Sequence, residues 1–434
     1  MIKNIVIVTP FFPPINTPDI HRVRQSLIHW VECDVKVNII CADWNQSGGV
    51  YDPDLLLTVP EEVEIIRLKS IPLFISKFTG FNSIAYRILP SLFLSGTWQI
   101  YKRSPDLIYF STTMFPVTIV GRLWRWLIKK PIVIDMQDPW RSDIYLDLPK
   151  NQRPPKFIFS YTLDKWMEKW VMKKIDGIIC VSPAYISMLM MRYKWLRKEQ
   201  FKVIPFGVSE YDMTIAKQLS TELPYLEKGK INLVYTGVCN KQMLPVIKLF
   251  LSGFKIALTR YPGKFENIRI VFIGTSYEQG AKKEFAVTPI AAELGIESVV
   301  SEYPDRVQYL TAVKYQQESS GLLLIGTTDK TYTPSKLYPY LLSQKPILAF
   351  LHEESPAVAI FKSISDQILF VFNDISKDEV ENMGKYLSDF VDSIDVKKEI
   401  HENEMLKYKS ESMARLQLEF FSEVQADFNG YNDK

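Results

Sequence analysis

Apolar residues along this chain fall into short, nearly continuous runs. Between the runs lie longer stretches in which apolar positions recur every three or four residues. In the N-terminal half the runs cover 5–9, 35–41, 63–68, 106–111, 131–135, 177–181 and 202–205. Continuous runs of this length predict strands buried on both faces, as in a parallel sheet. The stretches between them predict helices; in 163–174, Leu163, Trp166, Trp170 and Val171 share one helical face. Residues 211–230 read as an irregular, polar connection. The pattern then restarts, with runs at 231–236, 268–273, 306–310, 321–325, 346–350 and 368–371, and helices at 244–259 and 335–343. An amphipathic stretch, 413–426, with Leu416, Leu418, Phe420 and Phe421, closes the chain. Strand and helix in alternation predict βαβ units. The prediction is an α/β protein with two Rossmann-like domains in succession, 1–208 and 209–410. The C-terminal helix, about 411–434, is expected to pack back on the first. Parallel sheets facing each other across a cleft would bind a ligand at the carboxyl ends of their strands.

Composition supports a folded enzyme-sized chain and adds little more. The 434 residues are 47% apolar and 23% charged, ordinary for a globular protein. Cys33, Cys41, Cys180 and Cys239 form no CxxC pair, so neither a disulfide framework nor a zinc site is expected, and a reducing cytoplasm is the simplest location. His21, His29, His352 and His401 form no metal motif. The N-terminus lacks the long apolar region of a secretory signal. The longest apolar region, 84–100, contains Arg87, Pro90 and Gly96 and falls short of the roughly 20 apolar residues of a spanning helix. The sequence therefore predicts a cytoplasmic chain, with peripheral contact at the cytoplasmic membrane face left open. The net charge of +3 is uneven. Residues 1–205 hold 27 Lys and Arg against 18 Asp and Glu, a net of about +9, and the remainder is acidic. A basic half fits either an anionic partner or a solvated surface.

Several enzyme classes drop out. There is no GxGxxG dinucleotide fingerprint, no P-loop and no GxSxG nucleophile elbow.

What remains resembles the family-4 group of GT-B glycosyltransferases. The likeness runs through "IVIVTPFFPP", "PIVIDMQDPW", "IDGIICVSPAYISML", "FKVIPFGV", "LVYTGVCNKQ", "IRIVFIGTS" and "TYTPSKLYPYLLSQKPILAF", in that order. It implies a metal-independent transferase that moves a sugar, with retention, from a nucleotide sugar to a glycan or lipid-linked glycan in bacterial surface polysaccharide biosynthesis. The nucleotide sugar is then a co-substrate, and no separate cofactor is implied. A non-catalytic GT-B-like module and a sugar-nucleotide epimerase stay open as alternatives.

The resemblance also proposes site residues. Thr333 and Ser335 are candidate caps of a helix whose first turn holds Pro334, and its free N–H groups would face a diphosphate. Lys336 either adds a full positive charge at that leaving group or sits in solvent on a core helix. Gly237, Lys241, Gly274, Thr275, Arg306 and Tyr332 complete the implied donor site. Gly237 permits close approach of backbone to a ligand. On the acceptor side, the proline-rich loop after the first run carries Asn16, Asp19, His21 and Arg22. "DMQDPWRSD" supplies Asp138 and Arg141. Asp138 is the leading candidate to hold or deprotonate the acceptor hydroxyl, a helix N-cap or a salt bridge to Arg141 being the alternative. One departure stands out. The Glu-x7-Glu pair of the family falls on Thr331 and Pro339, and its arginine after the first donor glycine falls near Val238. Tyr332, Lys336, Lys241 and Arg306 are the candidate substitutes. Finally, 71–102 and 115–130 combine aromatic and basic residues. They suit either a membrane interface or core helices with solvated basic edges. No nucleic-acid-binding module is present.

Overall fold

Seven apolar runs of the N-terminal half pair into one parallel sheet. The computed structural model describes residues 2–141, 143, 146, 149–153, 157–276, 283–330, 332, 334–367, 369–396 and 398–432, with residues 79, 151, 377, 378, 431 and 432 described by backbone alone. The strands are β1 (Asn4–Val8), β2 (Lys36–Ala42), β3 (Glu64–Leu68), β4 (Leu107–Ser111), β5 (Ile132–Met136), β6 (Gly177–Cys180) and β7 (Phe201–Val203). Their order is β3-β2-β1-β4-β5-β6-β7, all parallel. Every residue of β4, β5 and β6 is buried, because helices cover both faces of a doubly wound sheet. Those used below are α1 (Ile20–Glu32), α2 (Thr118–Leu127) and α3 (Phe157–Met172).

The second sheet repeats the plan. It comprises β8 (Ile231–Thr236), β9 (Ile268–Ile273), β10 (Val300–Tyr303), β11 (Gly321–Ile325), β12 (Ile347–His352) and β13 (Leu369–Phe372). The order β10-β9-β8-β11-β12-β13 is again all parallel. Helices α4 (Leu244–Arg260) and α6 (Lys377–Asp392) pack on it through Phe250, Phe254, Leu387 and Phe390, and a short α5 (Leu337–Leu342) follows β11. In each sheet the chain leaves the first strand to one side and later returns on the other. Strand order thus reverses between β1 and β4, and between β8 and β11. Loops at such switch points are where open α/β sheets bind ligands.

The chain divides into two compact units, Met1–Gly207 with Ser410–Lys434, and Val208–Lys409. The last helix, α7 (Ser410–Asn432), belongs to the first unit. Trp30 of α1, fully buried, packs against Tyr109 and Phe421 and donates its indole N–H to the Ala414 carbonyl at 3.2 Å. Ser26 donates to Gln417 at 2.7 Å. Gly177 in β6 admits this helix closely, since a β-carbon there would lie 2.7 Å from Val424 and 3.1 Å from Phe420.

Four local expectations need correction. Residues 306–310 are not a strand. The strand is β10, ended by Pro304, and helix Tyr309–Glu318 begins where alternation had suggested extension. The connection after 208 contains the helix Glu210–Gln218, started by Ser209, whose hydroxyl accepts from the Asp212 N–H at 3.0 Å. In α3 the buried face is Met167, Glu168, Val171 and Met172, and Trp166 points outward. Glu168 is drawn inside by Arg141 and Arg192, so a charge replaces an aromatic on the inner face. Finally, α5 starts at Leu337 with Lys336 as its N-cap and no side-chain cap, so Ser335 does not play the capping role. Thr333 and Thr331 lie outside the described residues.

Candidate functional site

In the second unit, the site is built at the end of β8. Gly237 follows the strand with φ of +124°, a conformation open to glycine and strained for other residues. Its N–H donates to the Ile273 carbonyl at 2.7 Å. Its missing side chain leaves room for another. A β-carbon at 237 would lie 2.6 Å from Cε and 2.7 Å from Nζ of Lys336. The Lys336 ammonium donates to the Tyr235 hydroxyl at 3.1 Å and lies 4.5 Å from the centre of that ring. Tyr235 in turn donates to the Val238 carbonyl at 3.0 Å. Lys336 thus crosses from the loop after β11 to the glycine after β8, bridging the switch point of this sheet.

Electrostatics make this lysine unusual. Burial of its ammonium lowers the pKa from the ordinary value to about 8. Cys239 is nearby, but burial pushes its thiol up to about 12, so it is neutral at physiological pH and supplies no counter-ion. Among the described residues no carboxylate pairs with Lys336. A desolvated cation without an anion is costly unless a ligand supplies the charge.

Neighbouring segments are stitched to this loop. The Cys239 N–H donates to the Thr275 carbonyl at 3.0 Å, and the Gly274 N–H to the Tyr303 carbonyl at 2.7 Å. Gly274 has φ of +76°, with the Arg306 backbone 3.7 Å from where its β-carbon would be. The Thr275 hydroxyl is committed to Glu302 at 2.6 Å. Glu302 also accepts from the N–H groups of Ala286, Val287 and Thr288, capping helix Thr288–Leu294. Thr275 therefore offers backbone rather than hydroxyl. Arg306 and Lys241 are exposed. Tyr332 accepts from the Ser355 hydroxyl at 2.8 Å through its carbonyl, Pro334 is buried, and Ser335 is exposed. Below the glycine, Thr236 is held by Gln316 at 2.9 Å and by the Tyr340 hydroxyl at 3.3 Å. The sequence reading missed Tyr235, Cys239, Gln316 and Tyr340, because nothing in their spacing marks them as neighbours of Lys336.

In the first unit, the loops after β1 and β4 meet through Asp19. Its carboxylate accepts from the Thr17 hydroxyl at 2.6 Å, the Thr112 hydroxyl at 3.0 Å and the Thr113 N–H at 3.2 Å. Asp19 is thus a buried clamp between loops. Arg22 is also internal. It pairs with Asp135 at 3.0 Å and donates to the carbonyls of Ile204 and Pro205 at 2.8 and 3.3 Å. The guanidinium thereby ties α1 to β5 and to the end of β7. Asp135, absent from the candidates, also accepts from Ser111 at 2.8 Å, and burial pushes its carboxyl upward against the pull of Arg22. Arg141 is buried in the same manner, pairing with Glu168 at 2.8 Å and Asp143 at 2.7 Å. His21 accepts at Nδ1 from Arg24 at 3.0 Å, because a guanidinium only donates, so Nε2 carries the proton and donates to Asn16 at 3.2 Å. Asn16 passes the chain to Asp52 at 3.0 Å.

Asp138 differs from all of these. It lies two residues beyond β5, is exposed, and has no hydrogen-bond partner among the described residues. Desolvation first, and the like charge of Asp19 second, hold its carboxyl above the usual range. Among the acceptor-side candidates it is the one carboxylate with unused acceptor capacity at a strand end.

No protein-family model matches the chain, and no curated protein matches it in sequence. Solved structures do match along its length. Sucrose-phosphate synthase from Thermosynechococcus elongatus is 12% identical with a TM-score of 0.54, over 98% of this chain and 100% of that one. The N-terminal domain of trehalose-6-phosphate phosphatase from Candida albicans is 15% identical with a TM-score of 0.57, over 99% and 97%. HepE from Anabaena, solved in complex with UDP, is 12% identical with a TM-score of 0.54, over 97% and 100%. The fold is GT-B. At these identities the likeness extends to architecture alone. In GT-B terms, the two switch points fall one in each Rossmann-like domain, at Asp19–Thr112 and at Gly237–Lys336.

Proposed function

We propose that this chain is a glycosyltransferase that takes a sugar from a nucleotide-sugar donor. The observation that carries the reading is the Lys336 ammonium held over Gly237 at the end of the first strand of the second sheet, with no carboxylate paired to it among the described residues. Cleavage of the bond between the anomeric carbon and the diphosphate leaves negative charge on the departing phosphate. A preorganised cation in a site of low polarity stabilises that charge more than water does. Tyr235 aims the ammonium, and the backbone of Gly237, Gly274 and Thr275 gives flat walls for close approach. The UDP bound in HepE supports a nucleotide ligand for this fold. For the acceptor we propose a glycan or lipid-linked glycan of bacterial surface polysaccharide, transferred with retention. Asp138 then holds the acceptor hydroxyl, and the departing phosphate takes its proton.

A thermal-shift and calorimetric panel of UDP, GDP, dTDP and their sugars tests the reading. Binding to the native state raises apparent stability. Saturable binding that Lys336→Ala weakens by roughly 10-fold or more supports it, and a panel with neither binding nor turnover ends it. The second reading, a non-catalytic module, is favoured by Pro339, which stands inside α5 where the family places a carboxylate. Binding without turnover across the panel selects that module.

A further inference from the structure

The first unit carries an apolar surface that its own fold leaves uncovered. Helix Leu73–Thr79 turns Phe74 and Phe78 into solvent, 68% and 91% exposed. Two residues past this helix, Phe81 meets the Phe159 ring of α3 at 6.5 Å between centres, which brings the end of the helix to the start of α3. Phe159 and Trp166 of α3 are themselves 63% and 60% exposed. Buried aromatic rings contribute most when removed from water, and fully exposed ones forgo that gain. Contiguous exposed apolar patches mark interaction surfaces.

The charges beside these rings say what covers them. The exposed positions of α3 include Lys165 and Lys169 and no acid, since Asp164 bonds to the Trp140 indole and Glu168 is buried with Arg141. Lys173 and Lys174 extend the row just past the helix. Helix Leu73–Thr79 contributes Lys77. From Ile65 to Pro105 the sequence contains no Asp or Glu at all. Aromatic rings flanked by lysines with acids excluded match the interface of an anionic bilayer, where rings enter the headgroup boundary and lysines meet lipid phosphate. Among the described residues no helix is long and apolar enough to cross a membrane, so the contact is with one leaflet. In segment 115–130, Trp124 is buried and Arg125 pairs with Asp176 at 2.8 Å, while Trp126 is 76% exposed.

We infer that the face formed by helix Leu73–Thr79 and the outer side of α3 docks this protein on an anionic lipid surface. The inference stands on this surface and does not require the transferase reading. Co-sedimentation of the full chain with vesicles tests it, comparing phosphatidylcholine alone with a mixture containing about 30% phosphatidylglycerol. The expected result is binding to the anionic vesicles, weak binding to the neutral ones, and loss of at least ~10-fold in partitioning from low to high salt as the charges are screened. Lys165→Glu with Lys169→Glu should weaken partitioning by ~10-fold or more, each lysine near an anionic surface contributing on the order of fivefold. Phe74→Ser with Phe78→Ser should weaken it comparably. All four residues are exposed, so unfolding midpoints and the UDP thermal shift should stay at wild-type values, which separates this test from that of the nucleotide site. Failure of the wild type to bind anionic vesicles overturns the inference, as does wild-type binding by both variants. A dimer in sedimentation velocity that Phe74→Ser with Phe78→Ser converts to monomer, without vesicle binding, reassigns the face to a second copy and also overturns it.

Discussion

The ammonium-bearing end of Lys336 occupies the space that a β-carbon on residue 237 would need, 2.6 Å from Cε. Two segments a hundred residues apart are thereby made interdependent: the glycine exists for the lysine, and the lysine reaches the strand end only across a glycine. Gly237→Ala should therefore destabilise in two ways, by strain at φ of +124° and by displacing the lysine. The strain alone should cost about 1–3 kcal/mol. Chemical denaturation of Gly237→Ala in wild-type and Lys336→Ala backgrounds measures the coupling, and additivity of the two changes would show that they do not interact.

Removing the lysine should separate binding from folding. Lys336→Met deletes an unpaired desolvated charge, so the unfolding midpoint should hold or rise. UDP affinity should fall by roughly 10- to 100-fold, the equivalent of one charge-assisted hydrogen bond of about 1.5–3 kcal/mol. A variant that bound UDP normally would remove Lys336 from the site.

Proton linkage gives a signature that structure alone cannot mimic. With a pKa near 8, lowered by burial, Lys336 is largely charged at pH 7 and largely neutral at pH 9. A diphosphate beside it favours the charged form and raises the pKa again. Binding should therefore take up protons at pH 8–9 and weaken as pH rises from 7 to 9.5, while Lys336→Met shows neither trend. Without ligand the sign is opposite for folding. A lysine whose pKa is lower in the folded state than in the unfolded state lets stability rise with pH between about 8 and 10.5. Calorimetry in buffers of different ionisation enthalpy reads the first effect, and denaturation against pH reads the second.

Asp138 should divide turnover from affinity. Asp138→Asn keeps size but removes the charge that would hold an acceptor hydroxyl. Transfer should drop by roughly 10- to 100-fold, the loss of a charge-assisted hydrogen bond of about 1.5–3 kcal/mol, with UDP affinity unchanged. Equal losses in both quantities would point to a structural role.

Arg22 and Asp135 should behave as framework. Arg22→Ala leaves a buried carboxylate unpaired and should cost about 3–5 kcal/mol, whereas Arg22→Met with Asp135→Leu should be far closer to wild type. Thermal unfolding of the three variants decides between a framework pair and an acceptor-binding arginine, since the latter would cost activity without stability.

The apolar runs and their spacing were enough to specify two parallel sheets in succession, because a strand buried on both faces must be continuous and β-branched whatever surrounds it. Chain order likewise marked the loops after β1, β5, β8 and β11 as places for chemistry, since strand ends are periodic features. Gly237 and Asp138 could be marked as candidates because each lies within two residues of a strand end, and Lys336 because it stands at the start of the helix after β11. The reading went astray where local pattern and tertiary demand disagree. Trp166 shares a helical face with Leu163 and Trp170 in sequence, yet Arg141 and Arg192 pull Glu168 inward and leave the tryptophan outside. Arg22 reads as an exposed cation beside a loop, and becomes internal because Asp135, more than a hundred residues later, is placed under it by strand order. The elements and their class were already written in the periodicity of the chain, which depends only on neighbours in sequence. Which charges pair was set by which strands become adjacent in three dimensions: Arg22 gained Asp135, and Lys336 gained no anion among the described residues.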